Sequence, residues 1–396
     1  MNRTLRKTMI LSRLVEIEND LNQADKSPNT SETSKQESVY TKMYFKISEP
    51  SDFRCAKVLK LKNLAQNFLE VEKMVNLLWM HGGACNGNTQ SFLNAEEPTV
   101  IDLVTDFGIN ILYHHSLSME FGEQVRRLYE QILNDEIPLD ILVVEGTIIQ
   151  GPDGTGHYDM LMDRPKKNWI WDFAHKAQYV VAIGDCACWG GIPATKPNPS
   201  ESIGLQYMKE ERGGFLGTQF RSKGGLPVIN IPGCPAHPDW VTQILVAIAT
   251  GRLEDVVLDD LQRPQTFFKT FTQTGCTRVQ YFEWKEPVEE FGQGTRKGCL
   301  FYEQGCRGPM THSPCNRILW NRQSSKTRAG MPCIGCTEPQ FPFFDLAPGT
   351  VFKTQKVLGS IPKEVPQGTD PLSYSVNAAL ARAVAPKWAK EDMFVP

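Results

Sequence analysis

Five short, almost uninterrupted apolar runs constrain the fold more than any other feature: VNLLWM at 75–80, INILYH at 109–114, LDILVVEG at 139–146, YVVAIGD at 179–185 and LPVINIPG at 226–233. A strand that is apolar on both faces needs cover on both faces, the condition met by parallel sheets with helices above and below. The stretches between the runs have helical spacing: TVIDLVTDFG, MEFGEQVRRLYEQIL, KKNWIWDFAHKAQ and HPDWVTQILVAIATG. In the last of these, Pro238 suits a first helical turn and Gly251 a helix end. The expected fold class is therefore α/β, with a parallel-sheet domain over residues 74–261.

On either side the texture changes. Residues 1–73, with TSETSKQES at their centre, are polar and read as a disordered extension. After residue 262 the alternation stops, and residues 262–347 are rich in Gly, Pro, Cys and aromatics without strand or helix periodicity. Such a stretch cannot bury much of a conventional core, and metal clusters would supply the missing cross-links. Residues 348–396 form a tail with one short helix near 372–384. A formal net charge of -3 gives no basic excess of the kind that attracts nucleic acid. No charge-free apolar run reaches the roughly 20 residues of a membrane span. The start, MNRTLRKTMILSRLVEIEND, resembles neither a secretory nor a twin-arginine signal, so a cytoplasmic location is expected, free or held at the cytoplasmic face of a membrane.

In that compartment eleven cysteines are not structural disulfides. Cys85, Cys186 and Cys234 each follow the carboxyl end of an expected parallel strand, and such ends gather along one edge where ligands bind. The glycines of GGAC, IGDCACWGG and IPGCP let the backbone approach a bulky ligand. A phosphate loop would need GxxxxGK with Ser or Thr, or GxGxxG opening a helix, and neither is present. The alternative is three ordinary buried thiols. Six further cysteines lie in TGCTR, KGCLFYEQGCRGP, SPCNR and MPCIGCTEP. Zinc, iron–sulfur and redox sites all use such residues. A zinc ribbon presents two CxxC pairs, whereas here Cys333 with Cys336 is the sole one, and the irregular spacing favours iron–sulfur.

The elements VVEGT, GDCACWGGIPA, NIPGCPAHPDW, GCRGPMTHSPCNRILWN and PCIGCTEPQFPFFD resemble those of the small, electron-transferring subunit of nickel–iron hydrogenases. LNAEEPTVIDLVTDFGINILYH and RPQTFFKTFTQTGC make the chain most similar to the signal-less uptake branch. The resemblance runs from about Val75 to the C-terminus. It implies a flavodoxin-like domain followed by an irregular iron–sulfur domain, and three clusters of the 3Fe-4S or 4Fe-4S kind. By the same resemblance Cys85, Cys186 and Cys234 would hold the proximal cluster. Cys315, Cys333 and Cys336 would hold the medial one, and Cys276, Cys299 and Cys306 the distal one. Asn88 and Gln273 stand at fourth positions where many relatives have cysteine and histidine, and Lys326 where relatives with a three-iron centre often have proline. The implied partners are a large subunit that bears the nickel–iron site and an acceptor, either a protein or a quinone, in a heterodimer or higher assembly. The implied activity is hydrogen uptake with electrons relayed through this chain, the alternative being a regulatory hydrogen sensor. A zinc module on an α/β domain is a third reading.

Other residues invite roles. Cys188, two after Cys186, is read as a packed thiol rather than a fourth ligand, and Cys55 as inert. Glu145 would either relay protons, as the family implies, or cap a loop. His114 and His115 are read as structural, Asp185 as a turn cap, and Phe341, Phe343 and Phe344 as core or interface.

Overall fold

The computed structural model describes residues 74–288 and 297–342. The extension 1–73 with Cys55, the tail 348–396 with its expected helix, and Phe343 and Phe344 lie outside the described residues. The five apolar runs form β1 (Val75–His81), β2 (Ile109–His114), β3 (Ile141–Glu145), β4 (Tyr179–Ile183) and β5 (Ile229–Ile231). They pair in parallel in the order β5-β4-β3-β1-β2, the flavodoxin-like order, with its switch point between β1 and β3. The four helical stretches form α1 (Val100–Thr105), α2 (Glu123–Leu133), α3 (Lys166–Lys176) and α4 (Pro238–Ala249).

Strand alternation sends the two halves of each run to opposite cores. Leu78, Met80, Leu142, Val144, Val180 and Ala182 pack on one face, with Val125, Tyr129 and Ile132 of α2 and Trp169, Ile170 and Phe173 of α3. Leu77, Trp79, Val143, Val181, Ile183 and Ile229 pack on the other, against Trp240, Val241, Ile244 and Leu245 of α4. Both faces are covered, which is why these strands tolerate no polar alternation. The helix ends follow local chemistry. Thr99 and Asp102 close a capping box at the start of α1. Pro238 opens α4, with the His237 ring accepting the Asp239 N–H at 3.2 Å.

Past residue 262 only short helical turns occur among the described residues, such as Gln265–Phe268, Val279–Glu283 and Phe301–Gln304. This region is nonetheless fastened to the sheet. Phe267 and Phe268 are buried in the same core as Trp240, and Cys315 and Ile318 pack against it. Arg263 donates to the Thr337 carbonyl at 3.2 Å, Lys209 to the carbonyls of Gly191 and Phe341 at 2.6 and 2.8 Å, and Arg322 pairs with Glu96 and Glu97. Phe341 is thus core, as expected. No helix of the described residues is long and apolar enough to cross a membrane.

Candidate metal centre

Strand register brings the first three cysteines together. His81, Glu145, Ile183 and Ile231 are level across the sheet, and Cys85, Cys186 and Cys234 follow within a few residues on three of those strands. Their loops are tied to one another: Asp185 N–H donates to Gly233 O at 2.9 Å, and Ala236 N–H donates to Asn88 Oδ1 at 2.9 Å. Burial pushes the Cys186 thiol up to about 12, with Asp185, Cys234 and Cys85 adding to it. Burial raises Cys234 to about 11, and Cys336, Asp185 and Cys85 reinforce that shift. Cys85 is exposed.

The influence of Cys336 on Cys234 leads from this edge to the second group. The half-buried Cys315 is raised by desolvation to about 12, with Cys336 and Cys333 next in effect. Cys333 and Cys306 are likewise raised, first by burial. Cys333 N–H donates to Cys306 Sγ at 3.3 Å, joining the second group to the third. There Cys276, Cys299, Cys306 and Gln273 line one cavity, together with Phe282, Gly308 and Asn316. Neighbouring thiols thus connect Cys85, Cys186 and Cys234 to Cys336, Cys333 and Cys315, and Cys333 to Cys306, and Gln273 lines the cavity with Cys276, Cys299 and Cys306.

The chemistry of these groups suits iron–sulfur clusters. Each outer cysteine accepts the N–H two residues on: Arg278 to Cys276, Phe301 to Cys299 and Gly308 to Cys306, all at 3.4 Å. Amides aimed at sulfur stabilise negative charge there and are a principal means of tuning such clusters. The thiols that burial raises, those of Cys186, Cys234, Cys299, Cys306, Cys315 and Cys333, become ligands only when a metal displaces the proton. Backbone also crowds the first group: a Cβ on Gly191, at φ +57°, would lie 2.6 Å from Cys186 Sγ and 2.8 Å from its Cα. Gly191→Ala is therefore expected to displace Cys186 and lower the iron content of the purified protein, whereas unchanged iron would show that the loop yields.

Asn88 sits differently from Gln273. Its amide oxygen is occupied by Ala236 N–H, its own N–H donates to Glu145 Oε1 at 3.0 Å, and its side chain lies against Gly184, at φ +85°, where an added Cβ would collide with it. Glu145 is fully buried and accepts from Trp79 Nε1 at 3.2 Å and from the Thr89 hydroxyl, with His81 Nε2 at 3.2 Å. Burial pushes its carboxyl up, but the bonds from His81 and Thr89 outweigh this and hold it below the usual range. His114 stacks on Trp79 and His115 Nδ1 accepts the His81 N–H at 2.7 Å. Burial lowers their rings to about 4 and about 3, so both are neutral structural groups at pH 7. Cys188 is buried, its S–H near Ala182 O at 3.5 Å. Asp185 caps nothing: both carboxylate oxygens are buried without a hydrogen-bond partner, and burial raises it well above the carboxylate range. No spacing in the sequence signals the Trp79–Thr89–Glu145 network, because its members lie on three elements.

Two family models cover most of the described residues: "NADH ubiquinone oxidoreductase, 20 Kd subunit" over residues 85–248, and the C-terminal part of the NiFe/NiFeSe hydrogenase small subunit over residues 268–346. The chain is 36% identical to the F420 non-reducing hydrogenase II small subunit of Methanosarcina mazei, over 67% of this chain and 73% of that one. It is 30% identical to the periplasmic [NiFe] hydrogenase small subunit of Solidesulfovibrio fructosivorans, over 68% and 81%. Among solved structures it is similar to the [NiFeSe] hydrogenase of Desulfovibrio vulgaris Hildenborough, with a TM-score of 0.60 and 27% identity over 71% of this chain and 98% of that one. The actinobacterial-type NiFe hydrogenase of Ralstonia eutropha H16 gives 0.61 and 27% over 82% and 94%. The sheet order and these likenesses agree, and the chain belongs to the small subunits of nickel–iron hydrogenases.

Proposed function

We propose that this chain is the electron-transfer subunit of an uptake hydrogenase, carrying electrons from a large-subunit nickel–iron centre to an acceptor through three iron–sulfur sites. The observation that carries the reading is that neighbouring thiols succeed one another from Cys85, Cys186 and Cys234 through Cys336 and Cys333 to Cys306 and the cavity containing Gln273. Cys85, Cys186 and Cys234 would hold the inner group, Cys315, Cys333 and Cys336 the middle one, and Cys276, Cys299 and Cys306 the outer one. Iron–sulfur clusters held there supply one-electron carriers. The chain's own work is to bury the thiols, direct amides at sulfur and keep the three sites within short reach of one another. Residues 74–261 and 262–347 serve as sheet and cluster regions, with 1–73 an extension and 348–396 a tail.

The fourth positions differ in what they offer. Gln273 lines the outer cavity and is placed to contribute its amide, a weak uncharged donor. Asn88 instead pins the three inner loops, which leaves the inner site with three thiolates. Co-purified with its large subunit, the protein should reduce a dye with hydrogen and contain about 9–12 irons per small subunit, as three clusters of three or four irons. A three-iron signal should appear in the oxidised spin-resonance spectrum. Iron-free protein, or zinc in its place, would overturn the reading; 12 irons without a three-iron signal would overturn only the assignment of the fourth positions.

A further inference from the structure

The outer cavity opens at a surface unlike the rest of the molecule. The chain as a whole carries -3, yet residues 262–347 hold eleven Lys and Arg against seven Asp and Glu. The imbalance is larger at the surface. Among the described residues of this region Lys269, Lys297, Arg317, Arg322, Lys326 and Arg328 are exposed, whereas Glu283 is the one exposed carboxylate. Glu338 is buried and engaged by Arg263 and His312, and Arg322 is paired with Glu96 and Glu97.

Several of these cations border the cavity. Arg317 lies against Gly275, beside Cys276, with its guanidinium donating to Thr270. Arg328 donates at 3.4 Å to the carbonyl of Asn316, a lining residue. Lys297 is next to Gly298 and Cys299, and its carbonyl accepts from Arg278, another lining residue. A further, half-buried cation, Lys285, stands 5.9 Å from the ring centre of Phe282, also in the lining. Two apolar side chains are exposed among these residues: Val279 in the cavity lining, at 39%, and Phe271, at 43%, next to the Thr270 that Arg317 bonds. Exposed apolar groups beside charge of one sign are the anatomy of a transient, electrostatically steered interface.

We propose that the mouth of the outer cavity is the docking surface for an acidic one-electron carrier protein. This rests on the electron-transfer reading above and names the partner that reading leaves open. The step moves one electron out of the chain and onto the oxidised carrier; the site is oxidised, the carrier is reduced, and no bond or proton changes place. The electron is replaced from hydrogen oxidised in the large subunit. These cations raise the local concentration of acidic carrier and orient it, while Phe271 and Val279 exclude water from the contact.

The test uses the assembled heterodimer and two probes, oxidised flavodoxin as an acidic carrier and cytochrome c as a basic one. Calorimetry should find flavodoxin binding that weakens on the order of tenfold between low and physiological salt, because exposed charges are screened beyond about a Debye length. Arg317→Glu with Arg328→Glu should weaken it further, by on the order of tenfold, with hydrogen-dependent reduction of a small neutral dye unchanged. Arg317→Gln with Arg328→Gln should fall between, which separates charge from misfolding. Flavodoxin binding insensitive to salt and to both variants would overturn the proposal, as would tighter binding of cytochrome c or electron delivery only to quinone in lipid vesicles. If the heterodimer reduced no dye at all, the electron-transfer reading itself would fail first.

Discussion

Replacing Cys306 with alanine is expected to strip the outer site of its metal and to cut electron delivery by the assembled hydrogenase more than any other single change in the outer cavity. Its thiol is 7% exposed, lines the cavity with Cys276, Cys299 and Gln273, and accepts two amides, from Gly308 at 3.4 Å and Cys333 at 3.3 Å. Alanine removes one of three thiolates and leaves both N–H groups aimed at nothing. Loss of a group that merely supports a metal ligand costs about 10–100-fold in affinity or activity. Loss of the ligand itself should cost on the order of a hundredfold or more in hydrogen-dependent dye reduction, with about a third of the iron missing. Metal analysis and spin resonance on the purified heterodimer give the answer, and full iron with an unaltered outer signal would sink the assignment. Because Cys333 donates its N–H to Cys306, the middle signal should also shift, while the inner one should not.

The second large effect lies under the inner site. Glu145 collects Trp79 Nε1, the Thr89 hydroxyl, Asn88 N–H and His81 Nε2 in a space closed to water. Glu145→Ala leaves these groups without their acceptor, and breaking a buried charged network from one side costs about 3–5 kcal/mol. For a domain of this size each kcal/mol moves the melting temperature by about 2–4 °C, so a fall of roughly 6–20 °C is expected. Glu145→Gln, which keeps an acceptor oxygen, should lose less. The pH dependence has a definite sign. The folded carboxyl lies below its ordinary value, so its stabilisation is fully present above the ordinary glutamate range and is lost as the pH falls through the folded value. The stability gap between wild type and Glu145→Ala should therefore close on acidification below about pH 4, near the unperturbed carboxylate range. A gap that stays constant down to about pH 3, followed by denaturant titration, would mean that the carboxyl is not the anion this network solvates.

What could be read beforehand and what could not divide along physical lines. The five strands and four major helices follow from apolar runs and caps because each depends on residues close in sequence. The meeting of Cys85, Cys186 and Cys234 was also legible, since it needs only the rule that parallel strands end along one edge. Beyond residue 262 the periodicity argument has nothing to grip, and only the resemblance separated six cysteines into two sets. The fourth positions were the least legible. Asn88 and Gln273 are similar amides on paper, yet one is locked to Ala236 N–H and the other lines a cavity. That difference is set by the backbone of a residue 148 positions away. Asp185 was read as a turn cap because turns are where short acids usually occur. Its burial without a hydrogen-bond partner depends on the packing of the whole edge.

The burial of Phe267 and Phe268 beside Trp240, with Cys315 and Ile318 against the same core, also bears on how the protein is made. Helix α4 ends at Ala249, but the second face of its sheet is not closed until the chain has emerged as far as Ile318. At ordinary rates of synthesis that interval lasts roughly 3–14 s. Throughout it the newborn chain carries an unfinished apolar face on that side of its sheet, so the late-synthesised region completes the early one rather than folding after it.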